Sequence, residues 1–328
     1  MQQNAIECQF TASTSWVVLS PIEQRIKEKI EAVGIPLKDW NINIYRGVLT
    51  GCNEAFVITG EKRQEILDNC LDSEEFQRTD ALIRPILRGR DIQKYEYNWQ
   101  DLWLISTFPA FHYSIEDYPA VKNYLLTFGE NILRENGYDW IVNDYLQEWC
   151  HKRLLQTGED IIINNKKIII PKNTKSRKQA TGEWFETQDS IAYWEDFLKP
   201  KIIYPNMTKY LPFVYDEESF ITNQKCFIIT GEKIAYLTAF FNSSLFKYCF
   251  RDSFPELQGG TRELSKIFFD KIPVLEVDQF VNDNFENLIR DIQTEYTKEK
   301  AIILDTMLFD LYELTEEERL LIGFFEIL

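Results

Sequence analysis

The spacing of the apolar residues changes character at Asp278. Before that point they gather in short runs, such as AFVI at 55–58, LWLI at 102–105 and III at 161–163, each bounded by glycine, proline or polar residues. That is how short, largely buried strands are written. Beyond it they recur at helical intervals: Phe285, Leu288, Ile289 and Ile292, then Ile302, Ile303, Met307, Leu308 and Leu311. A chain so patterned joins a β-rich body to a C-terminal helical bundle, and the expected class is mixed α/β of the α+β kind. None of the runs approaches the roughly 20 apolar residues needed to cross a bilayer. The first residues, MQQNAIECQF, lack the basic start and continuous apolar stretch of an export signal. A cytoplasmic protein with no membrane partner is expected.

Local signals place the helices. Ser20, Pro21 and Glu23 set a hydroxyl at the cap, a proline at the first helical position and a carboxylate three residues after the cap. Ile22, Ile26, Ile30 and Val33 then follow at near-helical spacing until Gly34, whereas the first fifteen residues have no pattern and read as a linker. Residues 61–76 look helical and acidic, and 115–157 read as two helices inserted into the body. The 160–171 stretch, DIIINNKKIIIP, is a hairpin signature. Residues 229–251, ITGEKIAYLTAFFNSSLFKYCFR, read as two short helices, with Asn242 or Ser243 recapping the second. Thr315 and Glu318 form another capping box, from which a final helix is expected to run to the end.

Two glycines, Gly47 and Gly51, punctuate YRGVLTGCNEAFVI at 45–58. A phosphate loop of the Walker type needs four residues between its glycines, then a lysine and a hydroxyl to reach phosphate and magnesium. Here three intervene, and Cys52 and Asn53 follow. The expected structure is a strand, a tight turn and a second strand at 55–58.

Charge is distributed unevenly. The whole carries −16, yet residues 161–212 hold nine basic against five acidic side chains. Local rather than total charge sets the field at a groove. Within that stretch KNTKSRKQATG interleaves Lys172, Lys175, Arg177 and Lys178 with hydroxyl and amide groups, a suitable loop over a polyanion or simply a solvated one. Next comes a strand carrying Lys201, Asn206 and Lys209. Upstream, Arg84, Arg88, Arg90 and Lys94 crowd around Gly89, and downstream Gly259 and Gly260 precede Thr261, Arg262 and Lys266 before an apolar strand ending in a proline.

Several catalytic designs lack their parts. No Glu-x-Lys or Asp-x-Lys tripeptide, which flanks metal and water in common restriction nucleases, occurs in the sequence. His112 and His151, the only histidines, have no neighbouring nucleophile motif. The Asn-Pro-Pro-aromatic loop of amino-methyltransferases is missing. Six scattered cysteines form no C-x-x-C pair, so neither a metal nor a cofactor is expected in this chain.

Taken in order, the helix from Ser20, GVLTGCNEAFVI, IRPILRGRDIQKY, FLKPKIIYPNM, LTAFFNSSLFKYCF, GGTRELSKIFFDKIPV and the helical tail resemble the TaqI-like C-terminal specificity domain of type II restriction–modification enzymes. The resemblance spans about residues 20–325. It implies a non-catalytic domain that reads a target in double-stranded DNA, following an adenine methyltransferase domain that would hold S-adenosylmethionine. It divides the chain into a linker and connector helix at 1–34, a target-recognition domain at 35–275 with the helical insertion at 115–157, and a helical region at 276–328. On this resemblance Arg46, Asn53, Arg88, Arg90, Lys175, Arg177, Lys178, Asn206, Lys209, Thr261 and Arg262 line the DNA cleft. Arginine pairs bidentately with guanine and asparagine with adenine, while lysines hold phosphate. Two alternatives stand beside it: a protein-contact subunit of a phage-defence complex without DNA binding of its own, which the −16 charge favours, and an enzyme whose active site the motifs do not reveal.

Overall fold

The computed structural model describes residues 19–135, 137–146, 161–168 and 182–324. The helix Pro21–Val33 starts as its sequence requires: Ser20 Oγ accepts from Glu23 N at 3.3 Å, and Glu23 Oε2 accepts from Ser20 N at 2.6 Å. Ile26 and Ile30 are its buried face. It runs straight into strand β1 (Gly34–Pro36) through a junction with no room for a side chain: a Cβ at Gly34 would stand 2.7 Å from both Ile30 O and Pro273 Cβ. The antiparallel partner of β1 is β14 (Pro273–Leu275), so two segments far apart in sequence are tied together ahead of the C-terminal helices. Pro36 and Pro273 face each other at the end of this pair, where a missing N–H costs little.

Two four-stranded sheets form the body. One is antiparallel throughout, with order β10 (Val214–Asp216), β8 (Lys201–Pro205), β12 (Cys226–Gly231), β2 (Ile42–Arg46). The other has order β11 (Ile221–Thr222), β4 (Ile83–Leu87), β5 (Leu102–Ile105), β3 (Val57–Thr59), with β11 parallel to β4. The first sheet lies between two cores, as the alternation of its side chains dictates. Ile44, Ile202, Tyr204, Tyr215 and Ile229 join one core, which they share with Ile26, Ile30, the helices Ile234–Asn242 and Gln279–Thr294 and the rest of the C-terminal helices. Their neighbours Ile203, Val214 and Ile228 join the other, with the second sheet. Strand β8 is consequently buried on both faces.

That burial includes a charge. Lys201 lies directly opposite Asp216 across β8 and β10, both side chains are wholly buried, and their ion pair measures 2.5 Å. Lys201 Nζ also donates to Phe197 O at 2.7 Å. Removal from water lowers the lysine's pKa, and the facing carboxylate opposes the shift. A cation that reads in sequence as a surface group is a pin that fixes strand register.

The hairpin forms as β6 (Ile161–Ile163) and β7 (Lys166–Ile168), with Asn164 and Asn165 at φ of 48° and 58°, the conformation a two-residue hairpin turn demands. The helix Pro119–Glu135 and the short helix Asp139–Asp144 occupy the insertion up to residue 146, and the rest of that insertion lies outside the described residues. Ser243 caps Ser244–Phe250, Asp278 caps Gln279–Thr294, and Thr315 caps Glu316–Ile322.

Three expectations are corrected. Residues 53–56 form a single helical turn, Asn53–Phe56, instead of the start of a strand; Gly51 at φ 80° reverses the chain, and the turn carries Ala55 and Phe56 into the core before β3 begins. Residues 266–269 are also one helical turn, which swings Phe269 fully inside, so the strand starts at Pro273 and does not end in a proline. The last helix stops at Ile322, where Gly323 takes φ 66°. No described helix is long and apolar enough to cross a membrane.

Candidate nucleic-acid interface

Two of the chain crossings that join the two sheets lie against each other. One is Gly47–Val48, which continues β2 toward β3; the other is the turn 223–225 between β11 and β12. Gly47 N donates to Cys226 O at 2.9 Å and Val48 N to Thr222 O at 2.7 Å. A Cβ at Gly47 would sit 2.1 Å from Asn223 O, so glycine is what allows the crossings to touch. The glycines at 47 and 51 are therefore architectural, one for close approach and one for a left-handed backbone.

The turn 223–225 collects four of the segments that the sequence singled out. Arg46 Nε donates to Gln224 O at 3.2 Å. Asn223 N donates to Leu87 O at 3.0 Å at the end of β4, and the α-carbon of Gly89 approaches so closely that a Cβ there would meet Lys225 O at 3.0 Å. Asn206 N donates to Lys225 O at 2.8 Å, and Asn206 O accepts from Leu264 N at 2.8 Å. Strand β9 (Met207–Thr208) pairs with β13 (Arg262–Glu263), bringing Lys209 and Thr261 to the same edge. Beside the 88–90 turn an open groove of about 410 Å³ is lined by Arg88, Arg90, Asp91, Gln93, Asn98 and Gln100. Three amides and two guanidiniums along one groove are the kinds of group that read base edges bidentately.

Each predicted residue has its own standing in this frame. Arg46, Arg90 and Lys209 are exposed and, among the described residues, no carboxylate lies within ion-pairing distance of them. Asn53 is exposed and accepts from Thr50 Oγ1 at 2.7 Å. Asn206 is half-buried, and its Oδ1 is a buried acceptor without a partner among the described residues. Thr261 Oγ1 donates to Gln258 O at 3.1 Å beside Gly259 and Gly260, both at positive φ. Arg88 is committed: Nε and Nη2 grip Asp91 Oδ2 and Oδ1 at 2.9 and 2.8 Å, clamping the turn it starts. Arg262 is committed further, with 6% of its surface exposed. It donates to Phe254 O, Asp252 Oδ1 and Glu256 Oε2 at 2.8, 2.8 and 3.1 Å, so it organises the 252–262 loop from inside. Lys175, Arg177 and Lys178 lie outside the described residues.

Sequence reading passed over the residues at the centre. Among the described residues, Lys225 is exposed with no carboxylate partner, and Gln224 Oε1 is a second buried acceptor left without a hydrogen bond. Gln93, Asn98 and Gln100 were equally unmarked. The available signal was the polar tetrad TNQK between two apolar runs, which marks a turn but not what packs around it. Met207 and Tyr210, 49% and 58% exposed, add apolar surface at the same edge.

A family model described as the TaqI-like C-terminal specificity domain matches residues 84–274. No curated protein matches the sequence. Among solved structures, the chain is similar to the type IIG restriction endonuclease BpuSI, at 13% identity and a TM-score of 0.48, over 90% of this chain and 34% of that one. It is also similar to the type IIL restriction-modification enzyme MmeI, solved in complex with DNA, at 9% identity and a TM-score of 0.45, over 85% of this chain and 34% of that one. The chain thus spans about a third of the length of each of those two enzymes.

Proposed function

The chain belongs to the family of TaqI-like C-terminal specificity domains, and on that premise we propose that it is the non-catalytic part of a restriction–modification DNA adenine methyltransferase or endonuclease, reading the target in double-stranded DNA. The observation that supports this reading most is the convergence of Arg46, the 88–90 turn, Asn206 with Lys209, and Thr261 around the turn 223–225. Arg46, Arg90, Lys209 and Lys225, none within ion-pairing distance of a carboxylate among the described residues, gather here in an otherwise acidic chain. Phosphates complete such groups, while Arg90, Asn206, Gln93, Asn98 and Gln100 supply the fork and amide geometries that distinguish guanine and adenine. Arg88 and Arg262 act behind this surface by holding its two loops in shape. The helix Pro21–Val33 would lead from the methyltransferase part into the recognition fold, and S-adenosylmethionine would belong to that other part.

Fluorescence anisotropy with duplex DNA, with the chain alone and with the methyltransferase part supplied, tests the reading. Binding at low salt that fades as salt rises is the expected result. The −16 charge favours a second reading, a subunit that touches proteins within a defence complex. Absence of binding under both conditions would select it.

A further inference from the structure

A second cavity, of about 250 Å³, opens beside β4 and β5 and beneath residues 193–198, with Ile221 of β11 in its lining. Its walls are aromatic: Phe108, Phe111, Tyr113, Tyr118 and Trp194. The rings of Phe111 and Trp194 have centroids 4.9 Å apart, Phe111 and Tyr113 5.2 Å, and Tyr113 and Tyr118 5.6 Å edge to face. Phe108 and Tyr118 are buried, whereas Phe111, Tyr113 and Trp194 are half-buried and keep surface toward the opening.

Two arginines complete the lining. Arg78 donates to Asp117 O at 3.4 Å and stands 3.8 Å from Glu74. Arg84 is half-buried and makes no ion pair or hydrogen bond among the described residues. Arg25, Arg63, Arg88, Arg134, Arg262, Arg290 and Arg319 meet carboxylates, and Arg90, which like Arg84 meets none among the described residues, is exposed, whereas Arg84 is half-buried. Burial pushes the Tyr113 hydroxyl up to about 12 and the Arg84 charge opposes that shift, so the cation acts on the aromatic wall itself.

A partly buried guanidinium beside π faces narrows the ligand. A purely apolar occupant would desolvate Arg84 and leave it unpaired. Inorganic phosphate would pair with it and leave the rings uncovered. The volume falls just below the roughly 300 Å³ at which drug-sized sites begin. What fits both features is a planar ring carrying an anion. We propose that this cavity binds one nucleotide, with the base stacked among Phe111, Tyr113 and Trp194 and the phosphate on Arg84, assisted by Arg78. Stacking of a base on aromatic side chains contributes about 1–3 kcal/mol, and guanidinium matches phosphate bidentately. The nucleotide comes either from free 5′-nucleotide or from a strand that has let one base leave its stack. Arg84 precedes Leu87, the end of β4 at the interface, by three residues, or about 10 Å of strand. The strand source rests on the DNA-recognition reading; the free source does not.

Titration of the full chain with 5′-AMP, adenosine and inorganic phosphate, followed by tryptophan fluorescence, tests this. Saturable quenching by AMP, with adenosine and phosphate each at least tenfold weaker, is expected. Arg84→Gln and Phe111→Leu should each weaken AMP at least tenfold with an unchanged circular dichroism spectrum, while Arg90→Ala leaves it unaltered. A duplex with one bulged adenine, compared with a fully paired one, separates the sources. Tighter binding of the bulged duplex that Arg84→Gln abolishes assigns the strand; AMP binding with equal duplex affinities assigns the free nucleotide. If neither AMP nor the bulged duplex shows binding that Arg84→Gln weakens, the proposal is overturned, even where paired duplex binds at the neighbouring edge. If AMP binds and paired duplex does not, the cavity stands and the DNA reading falls.

Discussion

Replacing Gly47 with alanine should damage both stability and recognition, because one methyl group would separate the two chain crossings. The new Cβ would lie 2.1 Å from Asn223 O, 2.5 Å from Thr222 Oγ1 and 2.6 Å from Thr222 O. Two of these are backbone atoms in a buried setting, so a side-chain rotation cannot relieve the overlap. The strands must move apart, which strains the bonds Gly47 N to Cys226 O and Val48 N to Thr222 O, at 2.9 and 2.7 Å. Losing two such bonds costs about 1 kcal/mol each, and overpacking a tight site adds about 1–3 kcal/mol. The expected destabilisation is therefore about 3–5 kcal/mol, summed from those two contributions. Urea unfolding followed by circular dichroism measures it, with the parent and the variant compared at equal slope. Gly51→Ala is the control: at φ 80° it strains the backbone by about 1–2 kcal/mol without touching the turn 223–225. In whatever fraction of Gly47→Ala stays folded, duplex affinity should still fall, since Gln224 and Lys225 are displaced from Arg46 and the 88–90 turn. A variant within about 1 kcal/mol of the parent, inside ordinary mutational scatter, would refute the claim that this contact organises the site.

Arg90→Ala should weaken binding of the preferred duplex by about 1–3 kcal/mol and relax base choice at one position, whereas Lys225→Ala should weaken all duplexes alike and reduce the salt slope by about one, both read by anisotropy. Lys201→Met leaves Asp216 buried and uncompensated, and should cost about 3–5 kcal/mol in urea unfolding. The double change Lys201→Met with Asp216→Leu should recover most of that loss. Lys247 and Lys94 are pulled down to about 6 and about 8 by burial, with Lys94 adding repulsion at Lys247 and Asp305 opposing both shifts. The unfolded chain holds these protons more tightly, so stability should rise as pH climbs from about 6 toward the ordinary lysine range near 10.4. Lys247→Met should flatten that rise in pH-dependent melts.

The features legible in the sequence are those set by neighbours a few residues apart. Ser20 with Glu23 and Thr315 with Glu318 cap their helices through bonds spanning three residues, and Asn164–Asn165 turns its hairpin by backbone preference alone. Strand β5 and the helical period after Asp278 follow from hydrophobic spacing, which records burial whatever the partner is. Pairing across long separations leaves no such record. Arg46 meets Gln224 across 178 positions, and nothing in either segment names the other. Lys201 and Arg262 resemble surface cations until packing encloses them with Asp216, or with Asp252 and Glu256. Arg84 and Arg88 sit four positions apart on one strand and its exit, yet Arg88 is clamped by Asp91 while Arg84 lines an aromatic cavity with no ion pair among the described residues. Local hydrogen bonding and apolar period can be written into a few adjacent residues, whereas whether a charge is free to meet a ligand depends on which distant segments arrive beside it.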